Sequence, residues 1–449
     1  MPSRRRSPAL HTEPAGWSDP AGRLRGGMAR LSSVWRTPPV EEPEEEPPPP
    51  KELVRFLREC GVALCRAGET TDRAQQVIRS LGGRYGMPEV HAFVLPTGVF
   101  VRVGDGPGAV IDFSAVRGRD LGLDQIDALY RFLDELYAHP LPPEEGTRRL
   151  RSIEALPPRF PVVVRVLGYM VLTTGLGMIT YPRPTALIGY LALGLAVGVV
   201  REVVGGPLRR FALILPVVAA ALVTVLAYRY SGPLLGEDPT RILIPPLLAF
   251  LPGAALTMGM IELSSGSVVS GTSRLMYGVS TLVLLAFGIM VGAQTTHVRP
   301  VAEGSHIDSL GAWAPWAGVL LLGIGFALNS SARPRTVPWL LLVLCAVEAV
   351  QLFGQTVTDA VLGAFLGGMV LPLCARVLER WGAAPPSQVT FLPAFWMLVP
   401  GSLSLTGVGE LLAGNRSDGL LTTVNALLTV VAVALGVMAG ASLTRGRHG

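Results

Sequence analysis

The chain predicts a polytopic all-α membrane protein: ten transmembrane helices as two inverted five-helix repeats, preceded by a small α+β cytoplasmic domain. Three observations predict it. Of 449 residues, 49% are hydrophobic and 16% charged, with a mean hydropathy of +0.45, a balance that belongs to membrane proteins. Most of the charge sits in residues 1–160, and from Pro161 onward apolar runs alternate with short arginine-bearing loops. Third, the stretch Pro245–Gly292 is written again 148 positions later as Pro393–Gly440.

Residues 1–50 form an arm, beginning with Arg4-Arg5-Arg6 and ending in a Glu and Pro run, with too little apolar content to fold. No apolar stretch follows the arginines as an export signal requires, so the next segment is expected to stay in the cytoplasm. That segment, 51–160, reads as a small α+β domain. Leu53, Phe56, Leu57, Cys60 and Leu64 give a helical period that stops at Gly68. Thr70 or Thr71 caps a second helix carrying Ala74, Val77, Ile78 and Leu81. Three short strands are predicted over 90–95, 99–103 and 109–113, then helices over 123–137 and 143–155.

From Pro161, stretches of about twenty apolar residues match a bilayer core of ~30 Å at 1.5 Å per residue. They fall at 162–180, 185–204, 211–228, 242–263, 275–296, 312–330, 336–353, 357–376, 391–412 and 419–442. The first five make one module (161–300) and the last five a second (301–449). Arg148, Arg149, Arg151, Arg159, Arg209, Arg210, Arg274, Arg333, Arg335, Arg376, Arg380, Arg445 and Arg447 all fall on one side if both termini are cytoplasmic. Five spans per half is odd, so the second copy enters the membrane from the opposite face. A weaker echo, Ala186–Gly189 against Ala360–Gly363, points the same way.

Within the repeat, Pro252-Gly253 pairs with Pro400-Gly401, Glu262 with Glu410, and Gly288 and Gly292 with Gly436 and Gly440. Proline removes a donor and glycine permits the bend that follows, so each Pro-Gly predicts a broken helix. In lipid the freed backbone groups need partners, and a doubled break suggests a cavity where half-helix ends present N–H groups to a carboxylate and C=O groups to an ammonium. A tolerated kink is the alternative. Pro252, Gly253, Pro400 and Gly401 are therefore candidate substrate contacts, together with Ser264 and Ser267 in the hydroxyl-rich turn after the first Glu. The hydroxyls are also ordinary at a membrane interface. Carboxylates in apolar segments are costly and mark functional sites, which makes Glu262, Glu410, Glu348 and Asp359 candidates for proton coupling or gating. Helix-end charges and interhelical hydrogen bonds are the plainer readings. Glu348 is followed at helical spacing by Gln351 and Gln355.

Other chemistry is excluded or lacks a signal. A formal charge of +5 and a pI near 9.2 reflect loop arginines beside apolar runs, so nucleic acid is not a partner. Cys60, Cys65, Cys345 and Cys374 have no metal or redox spacing. No phosphate loop, His-Glu-x-x-His or nucleophile elbow appears, so neither an enzyme nor a cofactor is predicted.

The order of parts resembles the bacterial threonine/serine exporter family. The resemblance runs over about 51–443, through CRAGETTDRAQQVI (65–78), RGRDLGLDQIDALYRFLDEL (117–136), FLPGAALTMGMIELSSGSVVSGTSRL (250–275) and LVPGSLSLTGVGELLAGN (398–415). It implies proton-driven export of L-threonine, L-serine and other small hydrophilic amino acids across a bacterial plasma membrane. The partners it implies are that substrate, protons and the lipid bilayer, with assembly into a homo-oligomer left open. A dicarboxylate exporter of the same architecture, or a gated pore lined by the Gly-rich spans, is the alternative.

Overall fold

The computed structural model describes residues 51–87, 89–105, 108–205, 214–296, 309–379, 387–398 and 416–445. The arm, and with it Pro400, Gly401 and Glu410, lies outside the described residues.

The first part is α+β. Helices α1 (Lys51–Arg66) and α2 (Thr71–Arg84) precede strands β1 (Val90–Leu95), β2 (Gly98–Val103) and β3 (Val110–Ala115), followed by α3 (Leu123–Ala138) and α4 (Pro143–Glu154). The strands pair antiparallel in the order β1-β2-β3. Period-two alternation sends Val90, Ala92, Val94, Val99, Val101 and Val103 inward, where all are buried with Leu57, Leu64, Ile78, Leu81 and Leu129. Each fully buried Leu or Ile contributes about 1.5–3 kcal/mol. On the opposite face the cross-strand row Phe93–Phe100–Phe113 is exposed.

The apolar part follows: α5 (Val162–Thr180), α6 (Pro184–Gly205), α7 (Leu215–Tyr230), α8 (Gly253–Ser264), α9 (Val268–Thr296), α10 (Ala314–Asn329), α11 (Val337–Val357), α12 (Ala360–Glu379), α13 (Ser387–Leu398) and α14 (Arg416–Arg445). Seven helices among the described residues are long and apolar enough to cross a membrane. The other three expected spans differ for stated reasons. The 242–263 stretch is split into a 3-10 segment, Pro245–Phe250, and the 12-residue α8. Span 312–330 is the 16-residue α10, and 391–412 is described only as far as Leu398. Outward-facing Ile188, Val199, Val283, Phe287 and Leu427 are exposed, as lipid contact requires.

Small residues set how closely the helices approach, since lipid offers no hydrophobic drive between them. Helices α5 and α10, the first of each half, pack antiparallel through reciprocal glycines. A Cβ on Gly175 would lie 2.6 Å from Gly318 O, and one on Gly318 would lie 2.7 Å from Gly175 O. The repeated glycines also do the same work twice. Gly288 and Gly292 bring α9 onto the backbone of α7 at Val217 and Ala221, while Gly436 and Gly440 bring α14 onto α12 at Phe365 and Met369. These contacts match α7 with α12. The echo between Ala186–Gly189 and Ala360–Gly363 instead matched α6 with α12, and the packing does not follow it.

The α+β part touches both halves. Leu123 N–H at the start of α3 donates to Ser330 O (3.2 Å), and Arg333 pairs with Asp127 at 2.9 Å, both at the α10–α11 connection. The end of α8 meets α2, as described below. The helix ends on this side are called proximal here and the opposite ends distal.

Gly175→Ala should lower the melting temperature of the purified protein, because its methyl would meet Leu322 N at 2.3 Å, a backbone atom that cannot swing away. Overpacking of this kind costs about 1–3 kcal/mol. Gly205→Ala, where nothing lies within 4 Å, is the control and should melt at the wild-type temperature or above.

Candidate functional site

Two places collect the polar groups of the apolar part. The first is the break. Pro245 and Pro246 lack N–H donors, which favours a short 3-10 stretch over an α-helix. Leu251 is then extended, Pro252 sits at φ −80°, ψ 35°, and α8 begins at Gly253. The expected helix before Pro-Gly is thus 3-10. One carbonyl that leaves the helical ladder finds a partner: buried Tyr169 on α5 donates its hydroxyl to Pro246 O at 2.6 Å. That contact answers the backbone demand of an apolar medium.

Beside the break lies a cavity of about 190 Å³ between the two halves. Leu248 and Leu251 approach it just before Pro252, and Trp396, Met397 and Leu398 approach it just before Pro400. Its polar wall is Thr180, Gln351, Gln355 and Thr429. The amide Oε1 of Gln351 is buried with no hydrogen-bond partner among the described residues. An unmade bond of that kind costs about 1–3 kcal/mol, so the cavity holds an acceptor awaiting a donor. Glu348 lies one turn earlier on α11, buried, with no ion pair or hydrogen bond among the described residues. Asp359 is exposed and caps α12, accepting Leu362 N–H at 2.9 Å.

The second place is a proximal joint. Glu262, at the end of α8, has no exposed surface. Its Oε1 accepts Thr71 N–H from the first turn of α2 at 2.9 Å, and its Oε2 accepts Arg274 Nε from α9 at 3.0 Å. Arg274 Nη2 also donates to Glu69 O at 3.0 Å. The Ser265 and Ser267 hydroxyls donate to Asp72 at 2.8 and 2.5 Å, across a turn that needs Gly266 at φ +91°. Thr70 caps α2 through Arg73 N–H. Behind this contact Tyr130 donates its hydroxyl to the Glu69 carboxylate. Burial pushes the Glu69 carboxyl above its ordinary range, against the lowering pull of that bond, of Thr70 N–H and of Arg73 and Arg274. Burial also holds the Tyr130 hydroxyl well above its usual range, and the Glu69 charge adds to the effect.

The sequence-level candidates therefore separate. Pro252 and Gly253 stand at the break beside the cavity, while Glu262 and Ser267 stand in the joint, roughly 14 Å along α8 at 1.5 Å per residue. Ser264 returns its hydroxyl to Met260 O within its own helix at 2.9 Å. Glu69, Thr71, Asp72 and Arg274 were not among the candidates. Their signals were the capping run Glu69-Thr70-Thr71-Asp72 and an arginine early in the helix after Glu262. The repeat puts Thr422 at the position of Arg274, so Glu410 has no counterpart of that arginine in its own copy. Glu237, between two apolar stretches, is buried at the distal end and accepts from Tyr181 (3.1 Å) and Thr185 hydroxyls. Among the described residues no group of three or more His, Cys, Asp or Glu side chains is placed to hold a metal ion.

A cavity between two sets of packed apolar helices, with few polar groups and a broken helix beside it, is the arrangement of a membrane transport protein. Residues 55–296 match the family described as "Putative threonine/serine exporter", and residues 317–443 match "Threonine/Serine exporter, ThrE". The chain belongs to the threonine/serine exporter family. Among curated proteins it is similar to pheromone-regulated membrane protein 10 of three fungi. The Debaryomyces hansenii protein is 24% identical over 402 residues, covering 84% of this chain and 38% of its own length. That of Kluyveromyces lactis is 25% identical over 254 residues, covering 53% and 25%. That of Candida albicans SC5314 is 27% identical over 287 residues, covering 58% and 24%. The chain thus spans well under half the length of these relatives. No solved structure matches it.

Glu262→Ala should loosen the joint, because it strips Arg274 of a counter-charge and leaves Thr71 N–H without its acceptor. Removing one partner of a buried pair costs about 3–5 kcal/mol. Amide exchange across residues 69–76 should rise in this variant. Glu262→Gln, which keeps an acceptor for Thr71, should raise it less. Unchanged exchange in both would show that the joint carries no stability.

Proposed function

We propose that the protein is a secondary active exporter of small hydrophilic amino acids, L-threonine and L-serine, driven by protons. It works by alternating access of two inverted five-helix halves in the plasma membrane, with both termini cytoplasmic. The observation that carries this reading is the cavity between the halves, where the approach to the Pro252-Gly253 break and the residues just before Pro400 meet the amide oxygen of Gln351, which has no hydrogen-bond partner among the described residues. Membership of the exporter family supports it.

The chemistry suits a zwitterion. Helix α8 starts at Gly253 beside the cavity wall, and its first N–H groups lack intrahelical acceptors, so they favour a carboxylate. The amide oxygens of Gln351 and Gln355 accept from an ammonium, and Thr180 and Thr429, whose hydroxyls donate to Leu176 O and Asn425 O, keep oxygen lone pairs that accept from a hydroxylated side chain. In this reading Glu348, buried one turn from Gln351, exchanges a proton as the site changes sides. Glu237 and Asp359 sit at distal helix ends, and Glu262 at the proximal joint, where opening and closing would be felt.

Purified protein in liposomes should move labelled threonine or serine against an imposed pH gradient, and saturate. Gln351→Leu should cut this flux about tenfold, the ~1.4 kcal/mol of one polar contact. Glu348→Gln should flatten its pH dependence. Saturable flux of dicarboxylates alone would change the substrate class. Unitary conductance without counterflow would replace the carrier by a pore.

A further inference from the structure

A second cavity, of about 240 Å³, lies at the proximal joint and is not needed for the transport site described above. Three parts of the chain wall it. The first turn of α2 contributes Thr70, Asp72, Arg73 and Gln76, the end of α8 contributes Ile261, Glu262 and Ser265, and the last turns of α14 contribute an apolar strip around Met438. The α+β part, the first half and the second half therefore all contribute to its wall.

Its charges are of both signs, and both Asp72 and Arg73 are exposed to solvent, with hydrogen-bonding capacity left for a ligand. Arg73 has five guanidinium donors, yet its side chain makes one hydrogen bond among the described residues, to Gln76 Oε1 at 3.0 Å. Among the described residues no carboxylate lies within ion-pair distance of it, although its charge acts at longer range on Glu69. Asp72 accepts one hydroxyl on each oxygen, from Ser265 and Ser267, and a carboxylate has about four lone-pair sites, so acceptor capacity remains. The two residues are sequence neighbours on one helix and do not face each other, so neither can neutralise the other directly. A small ligand carrying a carboxylate and an ammonium would complete both at once. Met438, with Val437 and Ala441, provides an apolar wall for a short side chain.

We propose that this cavity is a second, proximal binding site for a zwitterionic α-amino acid, held by Arg73 through its carboxylate and by Asp72 through its ammonium. Because Asp72 also holds the Ser265–Ser267 turn, and Thr71 beside it holds Glu262, occupancy bears directly on the joint between the α+β part and the first half. The site reports cytoplasmic amino acid to the membrane helices. The ligand class rests on the exporter reading given above.

The test is amide exchange on the full chain in lipid nanodiscs, with L-threonine and L-serine as probes. Threonine should slow exchange over 69–76 and 261–267 in the wild type, and should do so equally in Gln351→Leu, in which the cavity between the halves is disabled. Arg73→Gln should raise the threonine concentration for half-protection of these segments about tenfold, the loss of one charge-assisted hydrogen bond. Arg73 is exposed, so the fold should survive. Ser442→Trp, which fills the cavity from the α14 side, should act in the same direction. Protection only around 348–355, abolished by Gln351→Leu, would overturn this site and leave the exporter reading standing. Protection in neither region at saturating threonine or serine would overturn both.

Discussion

The buried carboxylate of Glu262 is the constraint on which the rest of the arrangement depends. A charge with no exposed surface must be paired and hydrogen-bonded, and the apolar helix that carries it offers neither. Both requirements are met by drawing in other elements: Arg274 from the next helix supplies the charge, and Thr71 from the α+β part supplies an N–H. Once Thr71 is fixed, α2 is fixed, and Asp72 takes the two serines of the α8–α9 turn. A residue that reads as a gate in isolation is thus the pin that ties the α+β part to an apolar helix. Helix α8 then runs from this pin to the Pro-Gly break, one rigid lever with the joint at one end and the cavity wall at the other.

The same lever explains why the α+β part is more than an appendage. It holds the first half at Glu262 and the second at Ser330 and Arg333. Any rocking of one half against the other must therefore be accommodated by α2, by α3 or by the short connections that follow them. The halves themselves meet through glycines whose backbones touch, as at Gly175 and Gly318. Interfaces so close tolerate sliding and rotation better than separation, because parting them would leave narrow voids that neither lipid nor water fills.

Much of the fold was legible in the sequence because its signals are local. The alternation of Val90, Ala92 and Val94 with His91 and Phe93 fixed β1 to within a residue, and Gly68 and Thr70 marked the turn into α2. The repeat identified Gly288, Gly292, Gly436 and Gly440 as equivalent before any contact was known, and their packing is equivalent. What was not legible depends on distance in the chain. Nothing local joins Thr71 to Glu262, 191 positions away, although each lies in a segment that carried the family resemblance. The 3-10 stretch before Pro252 escaped because its residues are as apolar as those of a helix, and only the paired prolines hinted at it. Ser264 and Ser267 were grouped by composition, and a one-turn difference in position gave them unrelated partners.

The central claim is that substrate lies between the halves, against the break. A density map of the protein in nanodiscs with saturating L-threonine tests it most directly. The account predicts ligand density within hydrogen-bond reach of the Gln351 amide and alongside Leu251, with the carboxylate towards the start of α8. A map with that cavity empty and threonine bound elsewhere in the membrane helices would contradict it.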